Sequence, residues 1–214
     1  MIHASSPPPN TAEVTVAAPD RAAALESLLK TGLHTLAQRT TPGDPTLSAR
    51  IPAHLLQATR VLHDQPGPDG HTVRAQVALP YGLLERAALH ARPDLTLRPL
   101  HVRCTDHTPG AADTPGAARQ ALERALTDVG FTVTPSPHPA ALTLHGETWV
   151  QPHGTLHVTC VAAAQVQFRL PGQPTVSRDA TGSGPTPPLA ADAALTHAAN
   201  LCAHPIVLTL LETP

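Results

Sequence analysis

Between Thr114 and Leu170 the spacing of apolar positions changes from a helical period to a period of two, and that change lays out the middle of the chain. Ala118, Leu122, Ala125, Leu126 and Val129 share one side of a helical period. Gly130 stands where the period stops, so a short helix closed by a glycine is predicted. Phe131 to Thr134 reads as extended, the prolines between Pro135 and Pro139 preclude a regular element, and Ala140 to Val150 reads as a strand. A turn at Pro152 to Gly154 is then expected. After it, Leu156, Val158, Cys160, Ala162, Ala164, Val166, Phe168 and Leu170 form an apolar row at period two, while Thr155, His157, Thr159, Gln165, Gln167 and Arg169 occupy the opposite row. Such alternation belongs to an antiparallel strand with one buried and one wet face.

The flanking sequence punctuates more weakly. Ala12 to Ala17 alternates as a first strand, and Asp20 is placed to cap a helix whose stripe is Leu25, Leu28, Leu29, Gly32, Leu33 and Leu36. A loop covers Thr40 to Ala49, a helical turn is expected at Pro52 to Gln57, and Thr59 to Asp64 pairs with His71 to Leu79 across a wide loop at Pro66 to Gly70. Tyr81 to His90 reads as helical and Pro93 stops it. A strand over Thr96 to Cys104 is expected at a sheet edge because of Pro99, and Asp113 or Thr114 is expected to cap the central helix. Thr175 to Thr181 reads as a strand, Gly182 to Pro188 as a loop, and Ala190, Ala193, Ala194, His197, Ala198 and Leu201 as one side of a last helix. Ile206 to Leu211 reads as a closing strand. The fold class is therefore α+β, with antiparallel or mixed sheets and helices on one face. A disordered lead is expected at residues 1–10, an N-terminal lobe at 11–93 and a C-terminal lobe at 94–214, and their similar order of elements leaves open two related lobes.

Composition narrows the function classes. Aromatic residues are 2 % of the 214, so the core is built from Ala, Val and Leu, which favours a thin two-layer fold. Fourteen basic against sixteen acidic residues give a net charge of -2, and no Arg cluster is visible, so general nucleic-acid binding is not expected. The three cysteines at 104, 160 and 202 make neither a metal pair nor a full disulfide set, and Cys160 is expected to fill the core. No run of eighteen apolar residues occurs, so no membrane span is expected. Met1 to Asn10 lacks the features of a secretory signal, which points to the cytoplasm as the sequence stands and to the periplasm or envelope if the chain is a trimmed form.

The string from Ala117 to Val150, the long strand after it and the stretch from Thr181 to Leu210 resemble bacterial envelope-associated assembly domains of the CsgG, TolB N-terminal and LPP20 or FlgT type. Gly130 and Phe131 match a helix ending in Gly-Phe before a strand, and Ala140 and Ala141 match an Ala-bearing strand start whose Asp is absent. Gly182, Gly184 and the alanines at 190, 191, 193 and 194 match a glycine-containing strand end followed by an Ala-rich helix. The resemblance implies an assembly or scaffold module without catalytic residues.

Chemistry-bearing groups are sparse. His101, Cys104, Asp106 and His107 are the densest ligand-type group, and Cys104 beside the two histidines is the one local pairing for a thiol nucleophile. His145, Glu147 and His157 form a second metal candidate if the hairpin brings them together, whereas His153 and His157 lack helical spacing. Ser183 lacks a nucleophile elbow, and the prolines after Gly184 remove the donors a phosphate loop needs. No catalytic or cofactor-binding residue is assigned, no cofactor is expected, and whether a metal binds stays open. The expected function is a non-catalytic protein-interaction or assembly module, oligomeric or bound to a protein partner. Its surface candidates are His157, Gln165, Gln167 and Arg169, and strand addition at Thr96 to Cys104 or Ile206 to Leu211 is a further route. Two alternatives stand beside it: a small metal- or thiol-dependent enzyme using His101 to His107, and a nucleic-acid module with a local patch including Arg169 and Arg178.

Overall fold

Two sheets, each with helices on one face, account for the alternation in the sequence. The computed structural model describes residues 10–40, 46–51, 55–68, 70–80, 82–137, 139, 141–156 and 158–212. The chain divides into two compact units, Met1–Ala91 and Arg92–Pro214. The fold is mixed α+β.

Unit 1 consists of β1 (Thr11–Ala18), α1 (Arg21–Thr40), a 3-10 turn (Leu47–Arg50), β2 (Gln57–Gly67), β3 (Gly70–Ala78) and α2 (Leu83–Leu89). Asp20 caps α1, accepting a hydrogen bond from the Ala23 amide at 2.9 Å. β3 is central and antiparallel to both neighbours. α1 packs on β1 and β3, burying Ala24, Leu28, Leu33 and Leu36 with Val14, Val73, Ala75 and Val77. A Cβ at Gly32 would come within 2.8 Å of Val77 Cγ2, so this glycine sets how closely the helix approaches. The wide loop expected at Pro66 to Gly70 is not formed, because pairing runs on to Gly67 opposite Gly70. Gly70 makes the tight reversal possible, since at its φ of 132° a Cβ would stand 2.3 Å from the Ala18 carbonyl oxygen. The turn expected at Pro52 to Gln57 lies largely outside the described residues, and Gln57 opens β2. Residues 1–9 of the expected lead also lie outside them.

Unit 2 consists of α3 (Pro93–Leu97), β4 (Leu100–Asp106), α4 (Ala117–Val129), β5 (Leu142–Leu156), β6 (Thr159–Arg169), β7 (Val176–Gly184) and α5 (Pro187–Glu212). Its sheet has the order β4-β5-β6-β7, with β4 parallel to β5 and the rest antiparallel. α4 bridges the parallel pair. Gly130 ends it in the left-handed region at φ 117°, and the Gly130 and Phe131 amides donate back to Leu126 O at 3.2 and 3.0 Å. The start of α4 departs from expectation: Gly116 occupies the cap position, and Thr114 instead donates through N and Oγ1 to Asp192 of α5. The edge strand is also shorter than expected. Thr96 and Leu97 belong to α3, because Pro93 suits a first helical turn. Leu100 exchanges bonds with Thr132 O and Thr134 N at 2.8 Å each, so the segment after α4 covers the first part of the β4 edge.

Three further corrections concern the long apolar elements. The hairpin turn lies beyond Leu156 rather than at Pro152 to Gly154, where the ladder accommodates a register shift. Leu156 and Val158 are consequently exposed, Cys160 is only half-buried, and the buried row begins at Ala162. Gly182 and Gly184 lie in β7 rather than in a loop. A Cβ on Gly182 would sit 2.2 Å from the Ala194 amide nitrogen, so its absence lets α5 lie against the strand backbone. Finally, Ile206 to Leu211 is the end of α5, not a strand. Pro205 inside the helix costs about 3 kcal/mol. Burial of Ile206, Val207, Leu210 and Leu211 returns roughly 1.5–3 kcal/mol for each side chain, which outweighs it. The face of α5 is also displaced from the expected one: Ala193, His197 and Leu201 are exposed while Ala191, Leu195 and Ala199 are buried. α5 is long and apolar enough to cross a membrane, and its buried side packs on β6, β7 and α4.

These placements separate two substitutions on one predicted row. Phe168 is 1 % exposed and Val158 88 %. Phe168→Asp removes about 3–5 kcal/mol of packing and buries an unpaired charge, against a total domain stability of roughly 5–15 kcal/mol, so unit 2 loses its native fold. Val158→Asp stays within about 0.5 kcal/mol of the parent. Circular dichroism with thermal melting checks both, and equal behaviour of the two variants would refute the register. A second expectation concerns Asp64 of unit 1, which receives Arg21 Nη2 at 2.8 Å and faces His71 Nε2 at 2.5 Å. Arg21 first and His71 second hold its carboxyl down at about 2. A depressed carboxylate stabilises fully above its ordinary value near 3.9 and loses that contribution as pH falls through the folded value. The melting-temperature gap between the parent and Asp64→Asn is therefore larger at about pH 5 than at about pH 2; a gap unchanged between those two pH values would show that the ion pair contributes nothing.

Candidate functional site

Alternation along β4, β5 and β6 sends even-numbered side chains to the helices and odd-numbered ones to the opposite face. Val102, Leu144, Val166 and Phe168 are buried under α4 and α5, with Gly146 leaving room for Phe168: a Cβ there would lie 2.5 Å from Phe168 Cε1. Among the described residues of unit 2, no helix packs on the other face. Its register sets side chains in rows across the strands, Arg103, His145 and Arg169 in one and Thr105, Glu147 and Gln167 in the next. Next in line, Trp149 stands opposite Gln165, and Gln165 opposite Asp179 of β7. The first two rows line a groove of about 330 Å³, with Thr175 at its margin.

Electrostatics within the groove are uneven. Among the described residues Arg103, His145 and Arg169 have no hydrogen-bonding or ionic partner, and all three are exposed. Glu147 faces His107 Nε2 at 3.6 Å. His107 in turn stacks on Trp149, with ring centroids 4.7 Å apart and planes 8° from parallel. The strand is prolonged past Asp106: the His107 amide donates to Thr148 O at 2.9 Å, and the Val150 amide donates to Thr108 Oγ1 at 2.8 Å. The buried Thr148 hydroxyl donates to Asp106 at 2.5 Å, which fixes the strand end that holds the stacked pair.

Of the residues singled out from sequence, Gln165, Gln167 and Arg169 share this face, and His157 lies outside the described residues. His145 and Glu147 sit opposite Arg169 and Gln167, and His157, the third member of their metal set, lies outside the described residues. The His101 to His107 group is dispersed. His101 is buried with Nδ1 3.1 Å from Thr134 O, Cys104 faces the helices beside Gly146, and His107 stacks on Trp149. Among the described residues no three His, Cys, Asp or Glu side chains gather to hold a metal ion. Burial, reinforced by Asp106, pushes the Cys104 thiol up to about 12, opposite to what a nucleophile requires. Arg178 pairs in register with Val166, on the helix side of the sheet, so it and Arg169 make no common patch. Sequence reasoning missed Arg103 and Trp149. Arg103 was within reach of the alternation in β4, but its neighbours in space depend on the parallel pairing with β5.

No protein-family model matches the chain, and no curated protein matches it. Among solved structures, a PelC variant dodecamer from Paraburkholderia phytofirmans is 16 % identical, with a TM-score of 0.35 over 51 % of this chain and 85 % of that one. A minor lipoprotein from Acinetobacter baumannii is 13 % identical, with a TM-score of 0.33 over 53 % of this chain and 92 % of that one. The structural similarity is distant and does not single out the CsgG, TolB N-terminal or LPP20 type.

The three thiols are all free; Cys202 is buried, while Cys104 and Cys160 are both half-buried, Cys104 on the helix side of the sheet. Burial raises Cys104 to about 12 and Cys202 to about 11, while Cys160 is half-buried near the hairpin tip. Reaction with a thiol reagent at about pH 8, followed by peptide mapping, labels Cys160 in the native protein and the other two only after denaturation. Labelling of Cys104 as fast as Cys160 would show that its thiol is not held protonated and would revive a thiol chemistry.

Proposed function

We propose that the chain is a non-catalytic protein-interaction or assembly module, and that the helix-free face of the unit 2 sheet is its docking surface. The observation that carries this reading is the division of labour in the sheet. One face is filled by α4 and α5, while the other presents Arg103, His145, Glu147, Gln165, Gln167 and Arg169 from paired strands. Side chains on strands are held more exactly than side chains on loops, which suits recognition. Gln165, Gln167 and Arg169, with His157, are the contact residues proposed. The open part of the β4 edge beyond Leu100 offers a second route, by strand addition.

The finer reading places the module in a bacterial cell-envelope machine, related to the CsgG, TolB N-terminal and LPP20 or FlgT domains, and located at the envelope. Its support is the Gly130–Phe131 helix end, the glycines at 182 and 184 and the Ala-rich α5. Self-association and binding of a different protein both fit the surface.

A photoreactive amino acid at position 165, expressed in the native host, tests the docking surface. The expected result is a defined adduct, absent when the same group replaces Arg124 on the exposed side of α4. An adduct with a second copy establishes self-association, and one with another chain establishes a heterologous partner. No adduct from position 165, or the same adducts from 124, would overturn the proposal.

A further inference from the structure

The row Arg103, His145 and Arg169 crosses three adjacent strands in direct register. Neighbouring strands lie about 4.8 Å apart, so the two arginine Cα atoms are roughly 10 Å from each other with the imidazole between them. Among the described residues none of the three has a partner, and they border one groove of about 330 Å³. A guanidinium presents a planar fork of donors that matches a carboxylate in bidentate fashion. The adjoining row, Thr105, Glu147 and Gln167, supplies hydroxyl, carboxylate and amide groups suited to backbone N-H and C=O groups.

From this arrangement we infer that the groove binds an extended acidic peptide segment, its carboxylates held by Arg103 and Arg169 and steadied by His145. The inference rests on the docking surface proposed above and names its occupant. Charge placement decides between a peptide and a nucleic acid. Glu147 adjoins the cationic row and Asp179 lies further along the same face, so a uniformly charged phosphate backbone meets repulsion on leaving the row. A peptide with two carboxylates at alternate positions and neutral polar residues beside them meets none. At about 6.8 Å between same-side positions, two such carboxylates fall within the span of the arginines and their side chains.

The test uses the full chain and a fluorescent hexapeptide, Ser-Thr-Glu-Thr-Glu-Ser, read by anisotropy. Expected are saturable binding that weakens with added salt, at least a tenfold loss of affinity in the Arg103→Gln/Arg169→Gln double variant, and no change in Arg124→Gln. The counterpart peptide with Gln in place of Glu binds at least tenfold more weakly than the acidic one. Failure of the acidic peptide to bind, equal binding by the double variant, or a twelve-nucleotide thymidine strand binding as tightly would overturn the inference. Inorganic phosphate at about 10 mM displacing the peptide completely would assign the row to a simple anion and would likewise overturn it. A position-165 adduct obtained alongside a negative peptide result leaves the docking surface intact and removes only this occupant.

Discussion

The close seat of α5 on the sheet is the constraint on which unit 2 depends. Buried pairs at 190/191, 194/195, 198/199, 202/203, 206/207 and 210/211 repeat every four residues along the helix. Four residues exceed one helical turn, so the row follows an i±4 ridge inclined about 26° to the helix axis. The helix accordingly meets different partners along its length. Ala190 and Ala194 lie on Gly182 and Gly184, Cys202 reaches Val166 of β6, and Leu211 O accepts from Arg92 Nη1 at 2.8 Å. With so few aromatic residues, the unit gains contact by drawing backbones together rather than by filling space with large side chains. Glycine on the strand and alanine on the helix are the two halves of that solution, and a Cβ on Gly182 would force them apart.

That seat also decides what the opposite face is free to do. Once α4 and α5 take the even-numbered side chains, the odd-numbered ones need no apolar partner and are free to be polar. Their rows are then set by strand pairing alone, which is rigid over the length of β5 and β6. The groove therefore follows from core packing on the other side of the same strands. Thr148 shows the link within one residue step: its hydroxyl is buried and bonded to Asp106, and the next side chain, Trp149, emerges on the wet face against His107.

Much of this was legible because period two and period 3.6 are local. The helix ending at Gly130, the hairpin strands and the polar row Gln165, Gln167 and Arg169 follow from alternation and from one glycine. The hairpin tip was displaced because Pro152, His153 and Gly154 look like a turn, yet a bulge lets them remain in the ladder. Ile206 to Leu211 reads as a strand after Pro205, since no local signal reports the burial that carries α5 past the proline. Gly182 and Gly184 look like loop residues for the same reason: their role is the approach of a helix that follows them in sequence. The groove itself was illegible. Arg103, His145 and Arg169 are neighbours only through two registers, one of them parallel, and no spacing along the chain encodes either.

The energetics of that row argue that it is more than surface. Opposed like charges on adjacent strands destabilise a sheet by a few tenths to about 1 kcal/mol for each pair, whereas opposed unlike charges stabilise it by similar amounts. Unit 1 takes a favourable option, with Arg74 on β3 bonded through Nε at 2.6 Å to Glu13, its diagonal neighbour on β1. In unit 2 Glu147 is the diagonal neighbour of both Arg103 and Arg169, but it faces His107 instead and bonds neither arginine. In a chain of net charge -2, Arg103 and Arg169 flank His145 in one row that contains no opposite charge. A bound carboxylate would supply the missing opposite charge without changing the sheet. The same strands that carry the mismatch are pinned by the α5 seat, so the row cannot relieve it by slipping register, because a one-residue slip would carry Phe168 out of the core.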